Sequence, residues 1–168
     1  MKSLILRDEE VRSLLDTGRV VVVRAMKPQP PKEFYRSLGK TATGWVWSNM
    51  HHANPFEPEC CHEVPCPLGV PGERRWVREA WQLFDPDADD IDPARFGRRA
   101  PYSGIVGNRP IHWTACYRAD GPLRDDKHGP AKWRSSATMP HWASRLTIEI
   151  KSVAVEQRDE WCWIVEIK

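Results

Sequence analysis

Arg145-Leu146-Thr147-Ile148-Glu149-Ile150 alternates polar and apolar side chains residue by residue, the period of a strand with one buried face. Val153 and Val155 resume the alternation in opposite parity, which places a β-bulge near Lys151-Ser152, where one extra residue shifts the register. Gln157 to Glu160 turns the chain, and Trp161 to Ile167 carries apolar residues at both parities, as a central strand or barrel stave does. This last quarter is the clearest sheet in the sequence.

Working outward, Glu73-Arg74-Arg75-Trp76-Val77-Arg78-Glu79-Ala80-Trp81 follows the turn Pro71-Gly72 and reads as one strand. Its period of two puts Arg74, Trp76 and Arg78 on one face and Val77, Glu79 and Trp81 on the other, so a carboxylate shares a face with Val and Trp. Ile111 to Tyr117 reads as a further strand closed by the turn Ala119-Asp120-Gly121. Near the start, Asp8 caps a helix that runs to Gly18, with Glu9 and Glu10 in its first turn and Val11, Leu14 and Leu15 as its apolar stripe. Val20 to Val23 is β-branched throughout and reads as a strand buried on both faces. Lys27-Pro28-Gln29-Pro30-Pro31 ends it, because proline cannot donate to a ladder. Trp45-Val46-Trp47 reads as a short strand, Asn49 to Pro71 as a long proline-punctuated loop, Asp85 to Asp92 as an acidic surface loop, and Gly121 to Pro140 as irregular chain.

The chain has 168 residues and a mass of 19.4 kDa, which predicts a single domain over 1–168. One helix followed by about six short strands with long loops indicates an α+β domain around a small, partly closed β-barrel. No stretch approaches the roughly 18 to 20 apolar residues of a membrane span, and the opening turns acidic before a leader core could form, so a cytoplasmic protein with no membrane partner is expected. The five cysteines, an odd count, are expected to be reduced thiols. A net charge of only +2 excludes a uniformly basic surface, so any nucleic-acid site is a local patch. Arginine outnumbers lysine about two to one and there are 9 Trp, a composition suited to bidentate phosphate contacts and to stacking, or equally to a Trp-filled core.

His51, His52, Cys60, Cys61, His62 and Cys66 lie close together in sequence. Zinc takes four such ligands, but Cys60-Cys61-His62 are adjacent and no Cys-x-x-Cys pair exists; the expectation is therefore no cofactor, with zinc on Cys60, Cys61, His62 and Cys66 as the alternative. Cys116 lies inside an apolar strand and reads as an inert thiol rather than a nucleophile. Ser144-Arg145 offers a hydroxyl and a guanidinium to a phosphate. Arg95, Arg98, Arg99 and Arg109, interleaved with Phe96 and Tyr102, form either a groove for single-stranded nucleic acid or a solvated loop that balances the acidic run.

Several short motifs occur in order along the chain: Ile5-Leu6 with the helix and Gly18-Arg19, then Arg24, Lys27-Pro28-Gln29-Pro30, Cys66-Pro67-Leu68-Gly69, Pro71-Gly72-Glu73 and Trp76-Val77-Arg78-Glu79 with Trp81. They continue with Tyr117-Arg118-Ala119-Asp120-Gly121, Trp133-Arg134, Met139-Pro140, Trp142-Ala143-Ser144-Arg145 and Trp161 to Ile167. Together they resemble the ASCH family of PUA-like barrels, and within it the phage and prophage branch labelled morphogenetic. The resemblance implies a barrel with a cleft beside the first helix, and binding of RNA, single-stranded nucleic acid or a modified nucleoside. Some relatives are amidohydrolases that deacetylate acetylated cytidine with a lysine, a threonine and a glutamate, and others look like ribonucleases. Here Val20 stands at the lysine position and Val23 at the threonine position, and only Glu79 matches, so the expectation leans away from an enzyme. The residues assigned to the cleft are Arg24, Lys27, Arg78, Glu79, Trp81, Ser144 and Arg145. Glu79 either pairs with Arg24 inside the barrel or accepts from a base amino group while Trp81 or Trp76 stacks on the ring. The alternatives to a binding module are an amidohydrolase or ribonuclease, and a phage assembly protein acting through protein contacts.

Overall fold

The structure, a computed structural model, describes residues 1–27, 29–30, 38–40, 45–48, 61–85, 97–106, 109–121, 124–125, 129–130 and 132–168. Along these the elements are β1 (Ser3–Ile5), α1 (Asp8–Thr17), β2 (Val20–Ala25), β3 (Leu38–Lys40), β4 (Trp45–Ser48), β5 (Cys61–Val64), β6 (Arg74–Arg78) and β7 (Trp81–Phe84). They continue with β8 (Gly104–Val106), β9 (Arg109–Ile111), β10 (Thr114–Tyr117), β11 (Arg124–Asp125), β12 (Gly129–Pro130), β13 (Thr147–Gln157) and β14 (Trp161–Ile167). The described chain is thus a strand-rich α+β fold with one α-helix, and its strands are shorter and more numerous than the sequence pattern suggests. No described helix is long and apolar enough to cross a membrane.

Two compact units divide the chain, one of Met1–Arg19 with Arg74–Ile148, the other of Val20–Glu73 with Glu149–Lys168. Each draws on separated stretches, so the division does not follow the order of the sequence.

In the first unit β1 runs parallel to β6, with Leu4 opposite Val77, and on the other side of β6 the Val77 N–H donates to Leu146 O at 3.0 Å. The strand expected over Glu73 to Trp81 is broken. β6 ends at Arg78, Glu79 and Ala80 lie between the strands, and β7 begins at Trp81 to pair antiparallel with β10, Trp81 facing Tyr117. Burial consequently does not alternate, since Arg75, Trp76 and Val77 are all buried in succession. Trp81, Ala115, Tyr117, Met139 and Ala143 form a core, with Leu83 and Trp142 packed against it. The strand expected over Ile111 to Tyr117 is also interrupted, at His112-Trp113. The turn at Ala119-Asp120-Gly121 is present as a short 3-10 segment from Arg118 to Asp120.

Helix α1 occupies the expected span, and Gly18 closes it in the left-handed region with φ 71°, donating its N–H to Leu14 O. Its start differs. Arg7 is the cap residue, and its N–H donates to Glu10 Oε2 at 2.8 Å, while Asp8 is drawn aside into an ion pair with Arg118. Val11 and Leu14 are buried, but Leu15 stays exposed, so the apolar stripe is narrower than its spacing suggests.

The second unit contains the order β13, β14, β2, antiparallel throughout. Its register shifts between Ile150 and Ser152, the bulge anticipated from the parity change. Ile150 there donates to Glu73 O and accepts from the Gly72 N–H. β14 is central, with Cys162, Trp163, Val165 and Ile167 buried. β2 is less enclosed than a strand buried on both faces: Val22 is fully buried, but Val21 is 54% exposed, because β2 lies at the end of this strand order. Past Ala25, the Gln29 side chain continues the ladder where proline cannot. Its Nε2 donates to Met26 O and Trp161 O, and its Oε1 accepts from the Trp161 N–H at 2.8 Å. β3, β4 and β5 form a separate antiparallel sheet that includes the short strand expected at Trp45-Val46-Trp47.

Candidate functional site

Glu79 sits in the break between β6 and β7 and is only 1% exposed. A buried carboxylate needs a charged partner and filled acceptor positions, and Arg145 supplies both. Its Nε donates to Oε1 at 3.0 Å and its Nη2 to Oε2 at 2.9 Å, the two-pronged geometry that guanidinium offers a carboxylate. The remaining face of the guanidinium is taken by Asp120, at 2.9 Å from Nη1 and 2.7 Å from Nη2. The Arg145 guanidinium also lies 4.1 Å from the centre of the Tyr117 ring, a cation-π contact. Tyr117 in turn donates its hydroxyl to Ala143 O at 2.6 Å.

The guanidinium that grips Glu79 therefore belongs to Arg145, a correction to the pairing with Arg24 entertained from sequence. The cause lies in the backbone: the bond from Val77 N to Leu146 O runs the chain at Arg145 alongside the end of β6. Burial pushes the Glu79 carboxyl up, the Arg145 fork pulls it down, and burial with the nearby Asp120 and Asp8 charges leaves it raised. Burial would lower Arg145, but its bonds to Glu79 and Asp120 outweigh that and hold its charge more firmly. Burial lifts the Tyr117 phenol to about 12.

The other residues assigned to a cleft are accounted for as follows. The Ser144 hydroxyl is buried against Val77 O at 2.9 Å and Leu146 O at 3.0 Å, so it and Arg145 hold the fold together at the positions expected to anchor phosphate. Trp81 lies in the core, with Trp142 edge-on and the Arg134 guanidinium over its ring, which leaves it no open face for a base. Trp76 is buried with His141 edge-on and the Arg78 guanidinium 4.8 Å from its centre. Arg78 donates to Ala137 O from Nη1, while its buried Nε has no bonding partner among the described residues. Arg24 and Lys27 belong to the second unit, where Arg24 Nη1 donates to Val23 O and Lys27 is exposed.

His51, His52, Cys60, Arg95 and Phe96 lie outside the described residues, as do the side chains of Cys61, His62 and Arg109. Among the described residues no group of three or more His, Cys, Asp or Glu side chains is arranged to hold a metal ion.

Among the described residues of the first unit, two clefts are bordered by the segment Lys132 to Ser136. One, of about 620 Å³, is lined by Gln82, Phe84, Tyr102, Trp113, Lys132 and Arg134. Gln82 donates to Lys132 O at 2.6 Å, tying β7 to that segment, and Arg134 pairs with Trp81 across the backbone. Tyr102 is 50% exposed and rests edge-on against Trp142, so its ring is held yet accessible. The other cleft, of about 560 Å³, lies at the first turn of α1 and is lined by Asp8, Glu9, Arg118, Trp133, Arg134 and Ser135. Ala80, the neighbour of Glu79, lines it too.

Among the described side chains, Tyr102 is the sequence candidate for a nucleic-acid groove that lines the first cleft. Phe84, Trp113, Lys132 and Arg134 were not singled out as its lining. The legible signal was the cluster Lys132-Trp133-Arg134-Ser135-Ser136, which places cations, an indole and hydroxyls together in irregular chain. Asp120, the second acceptor for Arg145, was recognised as a turn residue and not as an ion-pair partner. No protein-family model, no curated protein and no solved structure matches the chain.

Proposed function

We propose that the chain is a nucleic-acid-binding module of ASCH type, a PUA-like barrel whose first unit takes single-stranded RNA or DNA, with or without modified bases. The observation that carries this reading is the convergence of three aromatic rings, Phe84, Tyr102 and Trp113, with two cations, Lys132 and Arg134, on one open cleft. Every base has a π-face that can stack on a ring, and the strand carries a phosphate for each base, so rings beside cations match its repeat. The ordered motifs from Gly18-Arg19 to Trp161–Ile167 support the family reading. In it Glu79 is a structural residue, because Arg145 occupies both of its oxygens, and the amidohydrolase positions held by Val20 and Val23 offer no proton-transfer group.

Titration with a short single-stranded oligonucleotide, followed by tryptophan fluorescence, tests it. Tyr102→Ala is expected to weaken binding by about 1 to 3 kcal/mol, the value of one stacked base, without altering thermal stability by more than about 0.5 kcal/mol. Equal affinity of wild type and Tyr102→Ala, or preference for a duplex of the same sequence, contradicts the assignment.

A further inference from the structure

We infer that the second cleft reads the base edge, and that it selects bases carrying an exocyclic amino group over thymine or uracil. The inference rests on the strand-binding reading above and adds base selectivity to it. The two clefts share Arg134, so a strand held along the first is positioned to place a neighbouring base in the second. Their linings differ in kind. The first offers rings and cations, which every base satisfies alike, whereas the second adds hydrogen-bond acceptors to an indole and to donors.

Those acceptors are carboxylates. Asp8 is already engaged by Arg118, which fixes the arginine and leaves Glu9 as the open acceptor: Glu9 is exposed, and its carboxylate has no bonding partner among the described residues. A carboxylate accepts from the exocyclic amino group of cytosine or adenine, whereas the one edge donor of thymine, its ring N–H, lies between two carbonyl oxygens that repel the carboxylate. Donors to complement the adjacent ring nitrogen or carbonyl are at hand. The Ser135 oxygen accepts from the Ala137 N–H at 3.3 Å, leaving its own proton to donate, and Arg134 stands beside it. Trp133 provides the ring against which such a base would stack. An acidic side chain beside a phosphate strand lowers general affinity, so Glu9 makes sense in such a cleft as a source of discrimination.

The test measures the affinity of wild type and Glu9→Gln for oligo(dC), oligo(dA) and oligo(dT) of one length at one salt concentration. Wild type is expected to prefer oligo(dC) and oligo(dA) to oligo(dT) by roughly fivefold or more. Glu9→Gln should bind oligo(dT) more tightly than wild type does, because a repelling charge is gone, while the preference collapses toward unity. A purely electrostatic role for Glu9 would raise all three affinities by one factor and leave the ratio unchanged, and that result overturns the inference while sparing the reading beneath it. Binding with no base preference in wild type does the same. Failure of all three oligomers to bind wild type overturns the strand-binding reading itself, and the inference with it.

Discussion

Glu79 places a full negative charge where almost no water reaches it, and the arrangement around it follows from that. Arg145 answers the carboxylate with two bonds, Asp120 balances the arginine, and the Tyr117 ring covers it. Removing one member of such a pair strands the other without compensation. Arg145→Ala is therefore expected to destabilise the fold by about 3 to 5 kcal/mol, read as a fall in the urea midpoint; a loss below about 1 kcal/mol would show the pair to be dispensable. Glu79 also fixes a pH dependence. Its folded carboxyl is raised above the ordinary value of 4.5, so between those two values the folded protein holds more proton than the unfolded chain. The stability this group contributes is thus fully present below the ordinary value and is lost as pH rises through the raised one. Relative to Glu79→Gln, wild type should gain stability as pH falls from neutral toward the ordinary value of 4.5; a difference that is flat or of opposite sign contradicts the raised carboxyl. The sequence made Glu79 conspicuous, because a carboxylate flanked by Val77 and Trp81 is chemically out of place. It could not name the partner, since 66 residues separate Glu79 from Arg145 and the bonds of Val77 to Leu146 and Ser144 bring them together.

At the scale of elements, alternation was a sound guide where a strand had one buried face and failed where the chain was buried on every side. The β13 bulge and the central position of β14 follow directly from apolar parity. The break after β6 does not, because Arg75, Trp76 and Val77 are all buried and no period survives to mark where the chain's partner changes from Leu146 to β10. β10 in turn depends on a close backbone approach. A Cβ at Gly97 would collide with the ring of Tyr117, which is fixed in the core through its hydroxyl bond to Ala143 O. Gly97 N–H also donates to Ala115 O at 2.7 Å, so the segment cannot swing away without losing that bond. Gly97→Ala is expected to destabilise by about 1 to 3 kcal/mol, measured by thermal or urea unfolding, whereas Tyr117→Phe should cost about 0.5 to 1.5 kcal/mol for the lost hydroxyl bond. An unchanged midpoint for Gly97→Ala would mean that the ring is free to move.

On the scale of the whole molecule, a net charge of +2 gives no long-range pull on a polyanion, so the proposed strand binding rests on the local lining of the first unit's clefts. That lining was largely hidden in the sequence. Phe84, Trp113 and Lys132 come from three separated stretches, and nothing in their spacing predicts that β7, β10 and the segment at Lys132 to Ser136 meet. Of the residues picked out by motif, Ser144 and Trp81 are buried and Arg145 is held by Glu79 and Asp120. The proposed binding, with rings and cations on one cleft, carries a measurable electrostatic signature, since each phosphate neutralised on a single strand contributes a slope of about −0.7 in log affinity against log salt. The most direct measurement is the affinity of a short single-stranded oligonucleotide for the intact chain across a series of salt concentrations. With Lys132 and Arg134 each meeting a phosphate, the slope should be about −1.4 or steeper, and Arg134→Ala should make it shallower by about 0.7. An affinity that does not change with salt, or no binding at the lowest salt, would contradict the account.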